Sequence, residues 1–427
     1  MITKPKVIKL PNGLNLILQP MSFVNSVSVY ITVGAGPRYE TKDTAGLAHF
    51  LEHMLCEGTE RLPTSKDVAK YLEKVGGTGR AFTDKEYVSY YVKVPKQHLD
   101  VGFSYLSDNL FNSLLEEKAI EKEKGIVIEE LGRSKDNPES DIWDLWFEWI
   151  WGKDQALGRS TIGNETTIRN ITRQKLQDYL KMFYRPSNMV IAVAGNFSTK
   201  EAEKYALKYF GYAQAKSIPT FEKLQFVPKK IHTKIVQSNT KQVQLLLGFV
   251  TDISYRNKDR FPIRLVRDIL STGVSSRLFH KLVYELGIAY SAYAGAWNFV
   301  DTGLFYVVGG FAPQNIEKAV RVILEELDKL KKHEVTKIEL KEAKEKDKAA
   351  LYFSLETPDA IANFYSAQQI TEKQIMTPEE IAEGIDKVTA EDIQRVAKKY
   401  FTTENLCLTI KGPLNENDSG KIEKLLK

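Results

Sequence analysis

Residues 171–195 and 388–412 follow one plan: a helical stretch, an aromatic pair, an asparagine, then a strand that ends in glycine. Thr172 matches Thr389, Leu176 matches Ile393, Phe183-Tyr184 match Tyr400-Phe401, Asn188 matches Asn405, Ile191 matches Leu408 and Gly195 matches Gly412, each pair 217 positions apart. The apolar stretch 27–33 returns in 243–249 at nearly the same offset. A fixed offset of about half the chain length is the mark of a tandem duplication. With 427 residues, more than one hydrophobic core usually serves, the expectation is two similar domains, residues 1–215 and 216–427. The boundary falls in the polar, aperiodic stretch 213–230, which carries Pro219 and Pro228.

Read in order, residues 27–33 alternate as a strand and end in Gly34-Ala35-Gly36-Pro37. Helical patterns follow at 45–56 and 66–75, the second closed by Gly76-Gly77, and 80–94 then reads as strand. The pattern turns helical again from His98, and 117–133 reads as one continuous charged and apolar helix. Residues 317–348 read as a pair of solvated helices. Trp143, Trp146, Phe147, Trp149 and Trp151 are dense enough for a peptide-binding wall, but aromatics at helical spacing more often pack a core or a domain contact.

A formal charge of +5, with lysines interleaved among glutamates, gives no case for a nucleic-acid or membrane partner. Two cysteines, Cys56 and Cys407, are too few for a disulfide framework and fit a reducing compartment. No stretch is apolar enough to span a bilayer and none at the N-terminus reads as a secretion signal, so the expected location is cytoplasmic.

The chemistry points to His49-Phe50-Leu51-Glu52-His53, an H-x-x-E-H sequence. On a helix the two histidines share one face, one turn apart, so both imidazoles can reach one metal ion. Glu52 projects beside that pair, where it can take a proton from a water. The position 217 beyond His49 is Val266, followed by Arg267, and no second H-x-x-E-H occurs, so only the first copy can carry this site. Zinc in a hydrolytic site usually takes three protein ligands and keeps one position open, which calls for a further carboxylate. Glu123 and Glu130 lie seven residues apart on one face of the 117–133 helix. One of them can ligate while the other hydrogen-bonds a ligand.

The run Gly46-Leu47-Ala48-His49-Phe50-Leu51-Glu52-His53-Met54-Leu55, the Glu57-Gly58-Thr59 after it and Gly76-Gly77 before a strand resemble the inverted-motif zinc peptidases related to mitochondrial processing peptidase, pitrilysin and insulysin. The resemblance extends through Phe183-Tyr184-Arg185-Pro186-Ser187-Asn188-Met189 and Ser275-Ser276-Arg277-Leu278-Phe279. It implies an α+β fold of two homologous domains, each a mostly antiparallel sheet with helices packed on it, the second domain lacking the metal and completing a substrate chamber. In that family about 76 residues separate the second histidine from the third ligand, which places that ligand at Glu130 and the supporting glutamate at Glu123. One Zn2+ held by His49, His53 and Glu130, with Glu52 as general base, would hydrolyse extended peptides that add as a strand beside Arg80-Ala81-Phe82-Thr83.

Two positions depart from the family pattern. Arg80 stands where the edge strand usually has asparagine. In the second half active members present an arginine and, seven residues on, a tyrosine; Tyr290 matches the tyrosine, but the arginine position is Val283, which cannot donate a hydrogen bond. Either another donor serves, with Arg277 as a candidate, or a different subunit supplies the pair. The implied partners are therefore a peptide substrate and a second chain, in a homodimer or in a heterodimer with a related subunit. The reading from another class is a non-hydrolytic peptide-binding or assembly subunit, though such relatives typically lose zinc ligands. His98, His232, His280 and His333 have no partner at ligand spacing.

Overall fold

The stretch 27–33 forms the middle of a sheet because its residues alternate between two covered faces. In the computed structural model, which describes residues 4–212, 218–225, 232–414 and 416–426, this strand is Ser26–Val33. Val27, Val29, Ile31 and Val33 are buried on one face. On the other, the Thr32 hydroxyl lies 2.9 Å from Ser89 Oγ and donates to Ser366 Oγ at 2.9 Å. The small hydroxyl side chains let the helix Pro358–Thr371 approach that second face.

Two units result. The first comprises Met1–Gly132, Arg159–Glu222 and Phe353–Thr377. Its strands are β1 (Lys6–Lys9), β2 (Asn15–Pro20), β3 (Ser26–Val33), β4 (Thr78–Thr83), β5 (Val88–Pro95) and β6 (Met189–Gly195), in the order β1-β2-β6-β3-β5-β4. Only the β2/β6 pair is parallel. The second unit comprises Arg133–Gly158, Lys223–Tyr352 and Pro378–Lys427. Its strands are β7 (His232–Gln237), β8 (Val243–Thr251), β9 (Ala289–Asn298), β10 (Gly303–Phe311) and β11 (Leu406–Gly412), in the order β7-β11-β8-β10-β9 with β7/β11 the parallel pair. Without β1, the first sheet has the same order and the same single parallel pair, so the sequence repeat is a repeat of topology. The matched threonines act alike: Thr172 and Thr389 cap the helices Arg173–Phe183 and Ala390–Tyr400, accepting from Lys175 and Asp392 N–H groups at 3.3 and 3.2 Å.

Two stretches cross a division into contiguous halves. Helix Pro138–Trp151 buries Ile142, Trp146, Phe147 and Trp151 with Leu246, Val250, Phe299 and Leu304 of the second unit, and the Trp146 indole donates to the Cys407 carbonyl at 3.3 Å. Truncating a buried aromatic of this kind costs about 3–5 kcal/mol, so apolar area decides where this helix belongs. The aromatic run is therefore mainly core, with Trp149 the exposed member. Helix Pro358–Thr371, from the later half of the chain, covers the first sheet.

The stretch 80–94 is two strands rather than one. The chain reverses at Asp84-Lys85-Glu86-Tyr87, where the Asp84 N–H donates to the Tyr87 carbonyl at 2.8 Å and the Glu86 N–H to Asp84 Oδ1 at 3.3 Å. The turn has neither glycine nor proline; its mark in the sequence is the polar run Thr83-Asp84-Lys85-Glu86, in which Asp84 supplies the side chain that closes it. As a consequence β4 lies at the edge of the first sheet. Among the described residues no helix is long and apolar enough to cross a membrane.

Candidate metal centre

The H-x-x-E-H segment lies on helix Leu47–Met54, shorter than the 45–56 expected. Leu47, Phe50, Leu51 and Met54 face the core, which turns His49, Glu52 and His53 to the other side. Gly46 starts the helix at φ +91°, and a Cβ there would collide with the Ile162 carbonyl, so only glycine fits. Since glycine brings no capping side chain, Glu40 caps from outside. Its carboxylate accepts from the Gly46 N–H at 2.8 Å and the Ala48 N–H at 2.6 Å. Burial pushes the Glu40 carboxyl up to about 7. This anchor escapes a sequence reading because capping rules look at the residues adjoining the helix, and Glu40 lies six positions before its N-cap.

The second contributor is helix Glu117–Asp136. Glu130 presents one oxygen to each histidine: Oε1 lies 3.7 Å from His49 Nε2 and Oε2 lies 3.7 Å from His53 Nε2. These separations are too long for hydrogen bonds. They are close to the spacing of roughly 3.3–3.5 Å that two ligands keep on a tetrahedral ion bound at about 2.0–2.2 Å. Ligand atoms of His49, His53 and Glu130 all lie within 4.8 Å of one another. Two imidazole nitrogens and one carboxylate oxygen form a donor set that fits zinc. Glu130 remains 35% exposed, so solvent reaches the point where the three converge.

The surroundings set the state of each group. Burial pushes the His49 imidazole down to about 4, which keeps it neutral and ligand-ready. His53 Nδ1 lies 2.8 Å from Glu123 Oε1, and this hydrogen bond holds His53 above its ordinary value. In the neutral ring, a proton on Nδ1 facing Glu123 would leave Nε2, the nitrogen turned toward Glu130, free to ligate. Burial raises the Glu52 carboxyl, while the Thr83 hydroxyl donates to Glu52 Oε2 at 2.6 Å and opposes that rise. The result is a carboxylate held in one orientation beside the cluster, with its other oxygen free of Thr83.

Thus His49, Glu52, His53, Glu123, Glu130 and Thr83 come together in the first unit. Arg80, Ala81 and Phe82 precede Thr83 on the same edge strand, β4. Tyr290 lies on β9 of the second unit, and its side chain falls outside the described residues. Val283 sits in a π-helical turn, His280–Glu285. Arg277 is engaged by Glu339, with Nε and Nη2 each 2.7 Å from a carboxylate oxygen.

The second unit also shows what the repeat put in place of the cluster. Val266 and Leu270, each 217 positions beyond His49 and His53, are fully buried. Asp347, 217 beyond Glu130, is buried as well, and Arg264 and Arg267 reach it at 2.8 Å. Two guanidinium groups stand around the retained carboxylate, which a buried charge requires.

A family model described as Insulinase (Peptidase family M16) matches residues 16–165, and one described as Peptidase M16 inactive domain matches residues 170–346. The chain is 31% identical over 406 residues to a Bacillus subtilis protein named uncharacterized zinc protease YmxG, covering 94% of this chain and 97% of that one. It is 30% identical over 399 residues to the beta subunit of mitochondrial-processing peptidase from Saccharomyces cerevisiae, covering 90% and 86%. A solved protease structure from Helicobacter pylori matches with a TM-score of 0.90 at 22% identity, over 97% of this chain and 100% of that one, a likeness of fold.

Proposed function

The chain belongs to the insulinase family, peptidase family M16, and from that membership we propose that it is a zinc-dependent endopeptidase acting on unfolded or extended peptides. The observation that carries this reading is the convergence of His49, His53 and Glu130 with Glu52 alongside. In it, His49, His53 and Glu130 hold the zinc, which when bound supplies a Lewis acid at the reacting carbonyl and acidifies a water. Glu52 takes the proton of the attacking water on its carboxylate and delivers it to the departing amine. Glu123 holds the His53 tautomer that leaves Nε2 available. The substrate adds as a strand to the free edge of β4, where main-chain hydrogen bonds give affinity that depends little on sequence.

Hydrolysis of an unstructured fluorogenic peptide, lost on chelation and restored by zinc, tests the reading. Absence of cleavage by the zinc-loaded chain, with or without a related subunit, would sink it. Within it Thr83 has a defined part, because its hydroxyl fixes the rotamer of the base. Thr83→Val lowers kcat by about tenfold with little change in KM, and Thr83→Ser recovers most of it. An unchanged kcat in the valine variant would remove Thr83 from this role.

A second reading has an observation of its own. Val283 offers no donor and Arg277 is held by Glu339. This favours a catalytic subunit that gains its arginine-tyrosine pair from a related partner chain. Zinc-loaded protein that cleaves only after such a partner is added would select it.

A further inference from the structure

The metal cluster and Glu52 account for one face of β4 and leave the other. Alternation along the strand puts Ala81 and Thr83 on the face of Glu52, where Ala81 packs against the core and Thr83 bonds the base. Arg80 and Phe82 therefore point to the opposite face, across from Tyr91 and Ser89 of β5. The neighbouring cation on that face, Lys93, is paired with Asp359 at 2.9 Å. Arg80 is exposed and, among the described residues, makes no ion pair or side-chain hydrogen bond. An unneutralised positive charge thus stands on the strand edge, three positions from Thr83, the residue that orients the base.

An extended peptide lying along β4 would continue the antiparallel ladder that β4 makes with β5. Its side chains alternate as those of β4 do. The residue opposite Thr83 faces Glu52, and the residue three positions further toward the peptide C-terminus lies opposite Arg80 on the other face. Directly opposed side chains in such a ladder sit about 4.5–5.5 Å apart at Cβ, within reach of an ion pair.

We propose that Arg80 is a specificity determinant that selects an acidic side chain on the face of the bound peptide turned away from Glu52. The inference rests on the peptidase reading and adds a substrate class to it: extended peptides with aspartate or glutamate at that one position, and lysine or arginine excluded there. Charge on an edge strand also guards against unwanted sheet pairing, and that role alone predicts no preference among peptides.

The test uses zinc-loaded Glu52→Gln protein and fluorescent unstructured peptides in which Asp, Ser or Lys is walked along the sequence. Binding is read by anisotropy, so no turnover is needed. At one position Asp binds about tenfold more tightly than Lys, the difference shrinks at high salt, and Arg80→Glu in the same background reverses the order. Equal binding of Asp and Lys peptides at every position, or a preference that survives Arg80→Glu, overturns the proposal. Cleavage of the Ser peptide by the unsubstituted protein is followed in parallel. A flat charge profile beside intact cleavage defeats the role of Arg80 alone, whereas cleavage absent both without and with a related subunit, beside a charge preference, defeats the peptidase reading and keeps the binding preference.

Discussion

Glu52→Gln lowers peptide turnover by about a thousandfold and leaves zinc binding intact. The substitution preserves shape, and the amide oxygen can still accept from the Thr83 hydroxyl that lies 2.6 Å from the carboxylate. What it removes is the capacity to take a proton. Burial already lifts the Glu52 carboxyl from its ordinary value toward neutrality, which suits a group that must both accept and return a proton. Because Glu52 is not one of the three converging ligand groups, metal content should not follow activity down. Single-turnover kinetics beside metal analysis checks both halves, and turnover within tenfold of the unsubstituted protein would take the base role from Glu52.

Glu130→Gln and Glu123→Gln separate a ligand from its support. The Glu130 carboxylate lies between both histidine Nε2 atoms, so its amide variant loses the anionic oxygen and is expected to purify without zinc and without activity. Among the described residues the Glu123 carboxylate makes its side-chain hydrogen bond to His53 Nδ1, and its variant keeps the ligand set while loosening one imidazole. Loss of such a supporting partner weakens metal affinity by about 10- to 100-fold. Affinity also rises with pH through the histidine range, since a charged His53 must shed the proton on Nε2 to ligate, and Glu123, bonded at Nδ1, favours the charged ring and holds His53 above its ordinary value. Competition with a chromogenic chelator across a pH series reads all of this. Equal affinity in the two variants would contradict the division of roles.

The parts of the site that were legible in the sequence are those whose spacing is local or carried by resemblance. A turn of helix sets His49 and His53 side by side, and the structure brings both to Glu130. The repeat was legible because Thr172 and Thr389, with the strands that follow them, perform the same local task in each copy. Periodicity failed at 84–87, where a turn without glycine or proline, closed by an aspartate side chain, divides what reads as one strand into two. It also cannot assign a helix to a sheet: Trp146 and its neighbours announce an apolar face, but which strands cover it is a tertiary fact. The Glu40 cap and the Asp347 cluster with Arg264 and Arg267 are of the same kind, since each joins elements that no local rule connects.

Zinc content of the purified chain, taken together with hydrolysis of an unstructured fluorogenic peptide library by the same preparation, tests the central claim most directly. The account predicts about one zinc per chain, bound through the first unit, and cleavage that disappears on chelation and returns with zinc. A chain that takes up no zinc when the metal is offered, and cleaves nothing, would contradict it.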